Sequence, residues 1–153
     1  TTYLAEQQQS QKHALVFDRI PHLDVMGSRS ELMSALSNLV NNAIRYTPSA
    51  GLIHLSFSQT ENQLMISVKD TGPGIPSEHI PRLTERFYRI DHSRSRETGG
   101  TGLGLAITKH VMQRHGGELL IQSELGKGST FSLLLPQSRV SEQADTSNQS
   151  VLA

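Results

Sequence analysis

A glycine-rich stretch at residues 97–110, with the sequence ETGGTGLGLAITKH, constrains this chain more than any other feature. Four glycines, Gly99, Gly100, Gly102 and Gly104, come just where an apolar helical pattern begins. Because glycine has no Cβ and the first N–H groups of a helix lack partners within it, several backbone N–H groups can face one anion. The stretch therefore predicts a phosphate-binding loop, although a mobile loop or a tight helix entry has the same composition.

Length and charge narrow the class of protein. A chain of 153 residues is predicted to form one domain, and no apolar run approaches the length of a membrane span. The absence of cysteine excludes disulfides, and with no signal peptide it favours a cytoplasmic location. The 14 basic and 14 acidic residues give a formal charge of zero, so we expect no nucleic-acid-binding surface. Any anion binding must come from a local arrangement.

The first part of the chain contains one strongly patterned segment. Residues 1–12 are polar and rich in glutamine, and are predicted to be a linker or the end of an upstream helix. Short apolar runs at 14–17 and 23–26 predict two strands at a sheet edge. Ser28 and Glu31 have the spacing of a capping box and predict a helix that ends at about Tyr46. Its apolar face is formed by Leu32, Leu36, Leu39, Val40 and Ala43.

Two strands, a turn and a polar segment follow this helix. Residues 52–57 and 64–68 alternate apolar with small or polar side chains and predict antiparallel neighbours. The second strand leads at Asp70 into a glycine- and proline-rich turn. Residues 77–88 are predicted to be a short helix, and the polar residues 89–98 a flexible lid.

The last part is predicted to pair two strands behind a second helix. The glycine-rich stretch opens this helix, which ends at Gly116 and Gly117. Residues 119–123 and 130–135 predict the closing strands. After Pro136 the sequence has no periodicity, and we expect residues 137–153 to be a disordered tail. The folded domain is accordingly predicted to span residues 13–136.

Two polar residues invite a chemical interpretation. Asparagine is unfavourable inside a helix, and Asn42 is either on a solvated face or a ligand whose amide oxygen binds Mg²⁺ beside phosphate groups. Asp70 is either an ordinary turn aspartate or a carboxylate that accepts a hydrogen bond from the amino group of adenine. In the lid, Arg89, Arg94 and Arg96 either remain solvated or fold over the terminal phosphate of a nucleotide.

Other phosphate-binding motifs do not fit. The pair Gly126-Lys127 lacks the earlier glycine and the following hydroxyl residue of a Walker A loop. A dinucleotide fingerprint should follow a strand, whereas this glycine stretch follows a polar loop. A protein-kinase glycine loop should be followed by His-Arg-Asp and Asp-Phe-Gly, and both are absent.

Five short segments, in this order, resemble the N, G1, F, G2 and G3 boxes of sensor histidine kinase catalytic domains. They are residues 38–43 (NLVNNA), 70–74 (DTGPG), 85–89 (ERFYR), 100–104 (GTGLG) and 126–131 (GKGSTF). Residues 78–89 and 93–102 are most similar to the sensor kinases of the phosphate regulon. The resemblance implies a Bergerat fold, which is a two-layer α/β sandwich with a mixed, mostly antiparallel sheet and helices packed on one face.

The resemblance also implies a site for ATP and Mg²⁺. It implies that Asn42 holds the metal, that Asn38 supports it, and that Arg89 acts in catalysis near the phosphates. Asp70 would bind the adenine amino group and Tyr46 would flank the base. The implied ATP-binding residues are Asn42, Arg45, Tyr46, Asp70, Gly72, Gly74, Ile75, Gly100, Thr101, Gly102, Leu103, Gly104, Leu105 and Thr130. Arg45 stands where lysine is frequent, and Ser129 replaces a frequent threonine.

One position favours phosphoryl transfer over hydrolysis. Members of the wider superfamily that hydrolyse ATP carry a glutamate one helical turn before the metal-binding asparagine, and Asn38 occupies that place here. A histidine kinase of this type phosphorylates a histidine followed by an acidic residue and, two places on, a basic one. None of the seven histidines of this chain has that context.

The resemblance therefore implies a catalytic domain that acts on a histidine in a separate dimerisation domain of the same protein. It implies a monomeric fragment of a homodimeric, inner-membrane kinase, on its cytoplasmic side, with a response regulator as the next phosphoryl acceptor. The alternative is a stand-alone switch protein similar to the anti-sigma serine kinases. A pseudokinase that only binds nucleotide is disfavoured by the intact Asn42, Asp70 and glycines.

Overall fold

The computed structural model describes residues 14–17, 23–48, 51–88 and 103–142. Its helices are α1 (Arg29–Tyr46) and α2 (Gly104–Arg114). Its strands are β1 (Ala14–Phe17), β2 (Leu23–Val25), β3 (Leu52–Gln59), β4 (Gln63–Asp70), β5 (Glu118–Glu124), β6 (Gly128–Pro136) and β7 (Val140–Glu142). Within these ranges, neither helix combines the length and the hydropathy that a bilayer span requires.

Five strands form one mixed sheet in the order β1-β3-β4-β6-β5. β1 is an edge strand parallel to β3, and the other three pairings are antiparallel. β2 and β7 pair antiparallel in a separate two-stranded sheet. The α/β class and the mostly antiparallel sheet predicted above are confirmed.

α1 begins and ends where its sequence predicts. The Ser28 side chain accepts a hydrogen bond from the Glu31 backbone N–H, so one of the two hydrogen bonds of the predicted capping box forms. The Ser28 N–H donates to His115 instead of to Glu31. Thr47 is the first extended residue, as expected ahead of Pro48. The residues of α1 that are fully enclosed are Ala35, Leu39, Val40, Ala43 and Ile44.

The helices cover one face of the sheet, and that face is the core. Alternate residues of the central strands join α1 and α2 there, including Leu64, Val68, Phe131, Leu133 and Leu135. Val68 lies opposite Phe131 in the register, and Asp70 lies opposite Ser129 two residues further on. Because side chains alternate along strands, Asp70 and Ser129 also face the helices. The end of the core is therefore polar.

Residues 77–88 do not form the helix that we predicted. They contain one 3₁₀ turn at Ile80–Arg82, with Pro81 near its start. Proline has no N–H to donate to the preceding turn, and Phe87 has a φ of 64°, outside helical values. A continuous helix across this stretch is therefore excluded.

Part of the predicted tail is folded. Residues 137–139 form a 3₁₀ turn, and β7 follows in register with β2. The Gln137 N–H donates to the carbonyl oxygen of Asn62, which holds the chain against the β3–β4 turn. A three-residue strand is too short to show alternation in the sequence. The segments 1–12 and 143–153 and the predicted lid lie outside the described residues.

Candidate functional site

Asp70 is the last residue of β4, and only 6% of it is exposed. Its Oδ1 accepts hydrogen bonds from the backbone N–H groups of Gly72 at 2.9 Å and of Ser129 at 3.3 Å. Burial raises the pKa of this carboxyl group, and the two backbone hydrogen bonds offset part of the rise. Asp70 is therefore fixed in one orientation in a poorly solvated place.

The second oxygen of this carboxylate remains available. Both hydrogen bonds end on Oδ1, and none reaches Oδ2 from the residues that the structure describes. A carboxylate only accepts hydrogen bonds, so Oδ2 suits a ligand group that donates one. The exocyclic amino group of adenine is such a donor.

The turn after Asp70 fits closely between two neighbouring segments. A Cβ added at Gly72 would lie 2.9 Å from the carbonyl oxygen of Tyr46, so the end of α1 touches the turn directly. Gly74 has a φ of 79°, and a Cβ there would overlap the carbonyl oxygen of Glu124 at the end of β5. These glycines let the turn approach both segments, which brings Tyr46 close to Asp70.

Asn42 lies on α1, one turn before Tyr46, and is half-buried. Its side-chain amide makes no hydrogen bond to any residue in the described ranges. Nor do those ranges contain a group of three or more His, Cys, Asp or Glu side chains able to hold a metal ion. One neutral oxygen is a suitable ligand for Mg²⁺ that takes its other ligands from phosphate groups and water. The residues present thus fit a phosphate-bound magnesium ion.

Asn38 has a direct structural partner. Its Nδ2 donates to the carbonyl oxygen of Gly104 at 3.2 Å and to Oγ1 of Thr108 at 3.3 Å. Thr108 is fully enclosed and itself donates to the Gly104 carbonyl at 2.9 Å. The asparagine one turn before Asn42 therefore fixes the first turn of α2, where the glycine-rich stretch meets the helix.

The strand register places one predicted site residue on the opposite face of the sheet from Asp70. Thr130 lies opposite Lys69 and Gln122, on the face of the sheet away from the helices. Its neighbour Ser129, which lies in the same motif but was not among the predicted site residues, is on the same side as Asp70. Once Asp70 is placed on the inward face, alternation along β6 is the signal that would have identified Ser129.

A second missed residue is Ser123 on β5, which lies opposite Ser129. Its Oγ accepts a hydrogen bond from the Ile75 N–H at 2.7 Å and lies 2.8 Å from Oγ of Ser129. A serine within an alternating strand gave no signal in the sequence.

The other predicted site residues divide into three groups. Arg45 is exposed at the end of α1, and Tyr46 is half-buried. Ile75 and Leu105 pack against the core, and Leu103 is the residue that precedes α2. Outside the described residues lie Arg89, Arg94, Arg96, Gly99, Gly100, Thr101 and Gly102.

Comparisons with known proteins agree on one family. Residues 27–139 match the family described as histidine kinase-, DNA gyrase B-, and HSP90-like ATPases. The chain is 51% identical over 130 residues to the phosphate regulon sensor protein PhoR of Pseudomonas aeruginosa, and the match covers 85% of this chain and 29% of that protein. It is 46% identical to the sensor histidine kinase RppB of Synechocystis, over 72% of this chain and 24% of that protein. The chain thus spans less than a third of the length of these relatives.

Solved structures of similar shape are also histidine kinases. The catalytic domain of histidine kinase ThkA has a TM-score of 0.74 at 26% identity, and the match covers 88% of this chain and 87% of that one. Full-length ShkA, solved in complex with AMPPNP, has a TM-score of 0.73 at 27% identity, over 88% of this chain and 28% of that one. The likeness therefore covers most of the chain in sequence and in fold.

Proposed function

The chain belongs to the histidine kinase-, DNA gyrase B- and HSP90-like ATPase family, and we propose that it is the catalytic domain of a two-component sensor histidine kinase. The domain binds ATP with Mg²⁺ and donates the γ-phosphoryl group to a histidine of a separate dimerisation domain. The group then passes to a response regulator. The named relatives are sensor kinases, which does not favour a stand-alone anti-sigma kinase.

The observation that carries the proposal is the position of Asp70. In this buried carboxylate, one oxygen accepts hydrogen bonds from two backbone N–H groups and the other is available. The available oxygen can accept a hydrogen bond from a donor group of a ligand. The glycines after it let the turn pack directly against the backbone of Tyr46, the last residue of α1, whose side chain would flank the base. This arrangement supports recognition of adenine.

The triphosphate would extend from the base along α1 towards the start of α2. Asn42 would hold the magnesium ion, which offsets phosphate charge. The glycine-rich stretch that ends at Gly104 would supply backbone N–H groups to the phosphates, and Arg45 and Arg89 would approach them. Positioning and charge compensation are most of what phosphoryl transfer needs from a protein.

The side chain of Asn38 supports transfer rather than hydrolysis. An amide cannot remove a proton from water, and this one already donates to Gly104 and Thr108. The acceptor histidine is therefore the nucleophile in the proposed reaction, and Asn38 keeps the phosphate-binding end of α2 in place.

The similarity to PhoR proteins supports a role in phosphate-starvation signalling. The chain is 51% identical to the protein from Pseudomonas aeruginosa and 44% identical to that from Haemophilus influenzae. We infer that the complete kinase is a homodimer in the inner membrane, with this domain on the cytoplasmic side. Residues 13–136 together with the folded segment up to 142 would form the catalytic unit.

Calorimetric titration and phosphotransfer test the proposal separately. The chain is expected to bind ATP more tightly with Mg²⁺ than with EDTA. Incubated with labelled ATP, it is expected to stay unlabelled alone and to label an added dimerisation domain of a phosphate-regulon sensor kinase. Label on one of its own histidines, or no nucleotide binding at all, would contradict the assignment.

A further inference from the structure

Ser123, Ser129 and Asp70 form a row across three neighbouring strands of the sheet. The register places Ser123 opposite Ser129 on β5 and β6, and Ser129 opposite Asp70 on β6 and β4. All three side chains are on the face that carries the helices. Of these three residues, only Asp70 has been assigned to adenine binding, so the hydroxyl groups of the two serines have no assigned role.

The hydrogen bonds of Ser123 determine where its proton lies. Its Oγ has three polar neighbours, namely the Ile75 N–H at 2.7 Å, the Gly128 carbonyl oxygen at 3.0 Å and Oγ of Ser129 at 2.8 Å. The N–H can only donate and the carbonyl can only accept. A serine hydroxyl has one proton to donate and two acceptor positions. The three bonds coexist only if Ser123 donates to Gly128 and Ser129 donates to Ser123.

This arrangement leaves the Ser129 hydroxyl with no proton to donate towards Asp70. Its single proton points to Ser123, and its backbone N–H is bonded to Oδ1 of Asp70. The remaining polar atoms of the pair, the Ser129 lone pair and Oδ2 of Asp70, both accept hydrogen bonds. Where such acceptors face position 6 of a purine, they favour an amino group, which donates a hydrogen bond, over a carbonyl oxygen, which only accepts one.

We propose that Ser123 is a positioning residue that sets the preference of this site for adenine by holding the proton of Ser129 away from Asp70. The inference rests on the proposed nucleotide-binding function. Ser123 touches no nucleotide, and it acts through Ser129 and through the turn after Asp70.

Ser123 is also connected to the turn that follows Asp70. The Ile75 N–H is bonded to Ser123, and the Pro73 carbonyl accepts a hydrogen bond of 2.9 Å from the Gly126 N–H on the β5–β6 turn. These two bonds join the turn that follows Asp70 to the hairpin that carries both serines. Ser123 thus holds the turn that follows Asp70 in place and also orients the Ser129 hydroxyl group.

Titration of ADP and IDP into the chain tests the proposal, because the two nucleotides differ only in the purine base: adenine has a 6-amino group and an unprotonated N1, whereas hypoxanthine has a 6-oxo group and a proton on N1. The wild-type chain is expected to bind ADP more tightly. In Ser123→Ala the Ser129 hydroxyl can turn and donate to the 6-oxo group, so the ratio of the two dissociation constants is expected to shrink about fivefold. Ser123→Thr keeps the hydroxyl and is expected to retain the wild-type ratio.

Ser129→Ala provides an independent measurement if Ser123→Ala does not fold. It removes the hydroxyl group that Ser123 orients and is expected to reduce the ADP preference by a similar factor. The double variant is expected to match Ser129→Ala, because Ser123 acts through Ser129. An unchanged ratio in Ser123→Ala or in Ser129→Ala overturns this inference and leaves the nucleotide site standing. A wild-type chain that binds neither nucleotide overturns the proposed function itself.

Discussion

The backbone N–H of Ser28 donates a 3.0 Å hydrogen bond to Nε2 of His115, so the start of α1 is joined to the end of α2. The other ring nitrogen, Nδ1, lies 2.7 Å from the Val111 carbonyl oxygen and must donate to it. Since Nε2 accepts and Nδ1 donates, the ring is neutral with its proton on Nδ1. Both helices flank the proposed phosphate site, and this hydrogen bond fixes the start of α1 to the end of α2.

We expect His115→Ala to destabilise the domain. The residue is buried, and its removal leaves a cavity and leaves the Ser28 N–H without its hydrogen-bond partner. The expected loss in the free energy of unfolding is about 2 kcal/mol, measured by urea denaturation. His110→Ala, on an exposed position of the same helix, is the matched control. Equal stability of the two variants would refute the structural role of the ring.

Asn38→Asp should also destabilise the domain, for a different reason. A carboxylate cannot donate to the Gly104 carbonyl, so two acceptors would face each other where a hydrogen bond now forms. The expected loss is about 1 to 3 kcal/mol, measured against Ser34→Asp on the exposed side of the same helix. A variant as stable as this control would show that the amide does not tie α1 to α2.

The sequence identified elements whose signals are local. α1 is specified by Ser28 and Glu31 at one end and by Thr47 ahead of Pro48 at the other, so its limits were predicted correctly. β7 was missed because its three residues obtain their partners from β2, more than a hundred positions earlier. The stretch that contains Pro81 and Phe87 was predicted to be helical, but only a 3₁₀ turn forms there, and Phe87 has a positive φ.

The candidate site likewise contains residues that local sequence identified and residues whose position depends on distant parts of the chain. Asp70 was identified from the glycines that follow it, which are adjacent in the chain. Ser129 lies in the last of the five motifs, but its position beside Asp70, like that of Ser123, follows from the pairing of β4, β6 and β5. The partnership of Asn38 with Gly104, 66 positions apart, was likewise visible only in the fold.

Asp70→Asn is expected to raise the stability of the domain at neutral pH. Burial raises the pKa of this carboxyl group above its ordinary value of 3.8, so the ionised form is less favourable in the folded chain than in the unfolded one. The stability contributed by the protonated form is fully present below 3.8 and is lost as pH rises through the folded pKa. Asparagine keeps an oxygen for the two backbone N–H groups and carries no charge.

Urea denaturation of the wild type and Asp70→Asn at several pH values measures this effect. The variant should be more stable at neutral pH, and the difference should vanish towards and below 3.8. ATP binding by the variant should nevertheless weaken, since the new amide can present a donor to the adenine amino group. A difference in stability that does not depend on pH would contradict the role of burial.

Asn42→Ala is expected to weaken nucleotide binding only when the metal is present. Its amide oxygen has no hydrogen-bond partner in the described part of the chain, so its removal should leave the fold intact. With Mg²⁺, we expect the dissociation constant for ATP to rise about tenfold or more, whereas in EDTA it should match the wild type. Asn41→Ala, the adjacent half-buried asparagine, is the control and should bind as the wild type does in both conditions. Equal losses with and without Mg²⁺ would mean that Asn42 contacts the nucleotide and not the metal, because a metal ligand has no effect once the metal is removed.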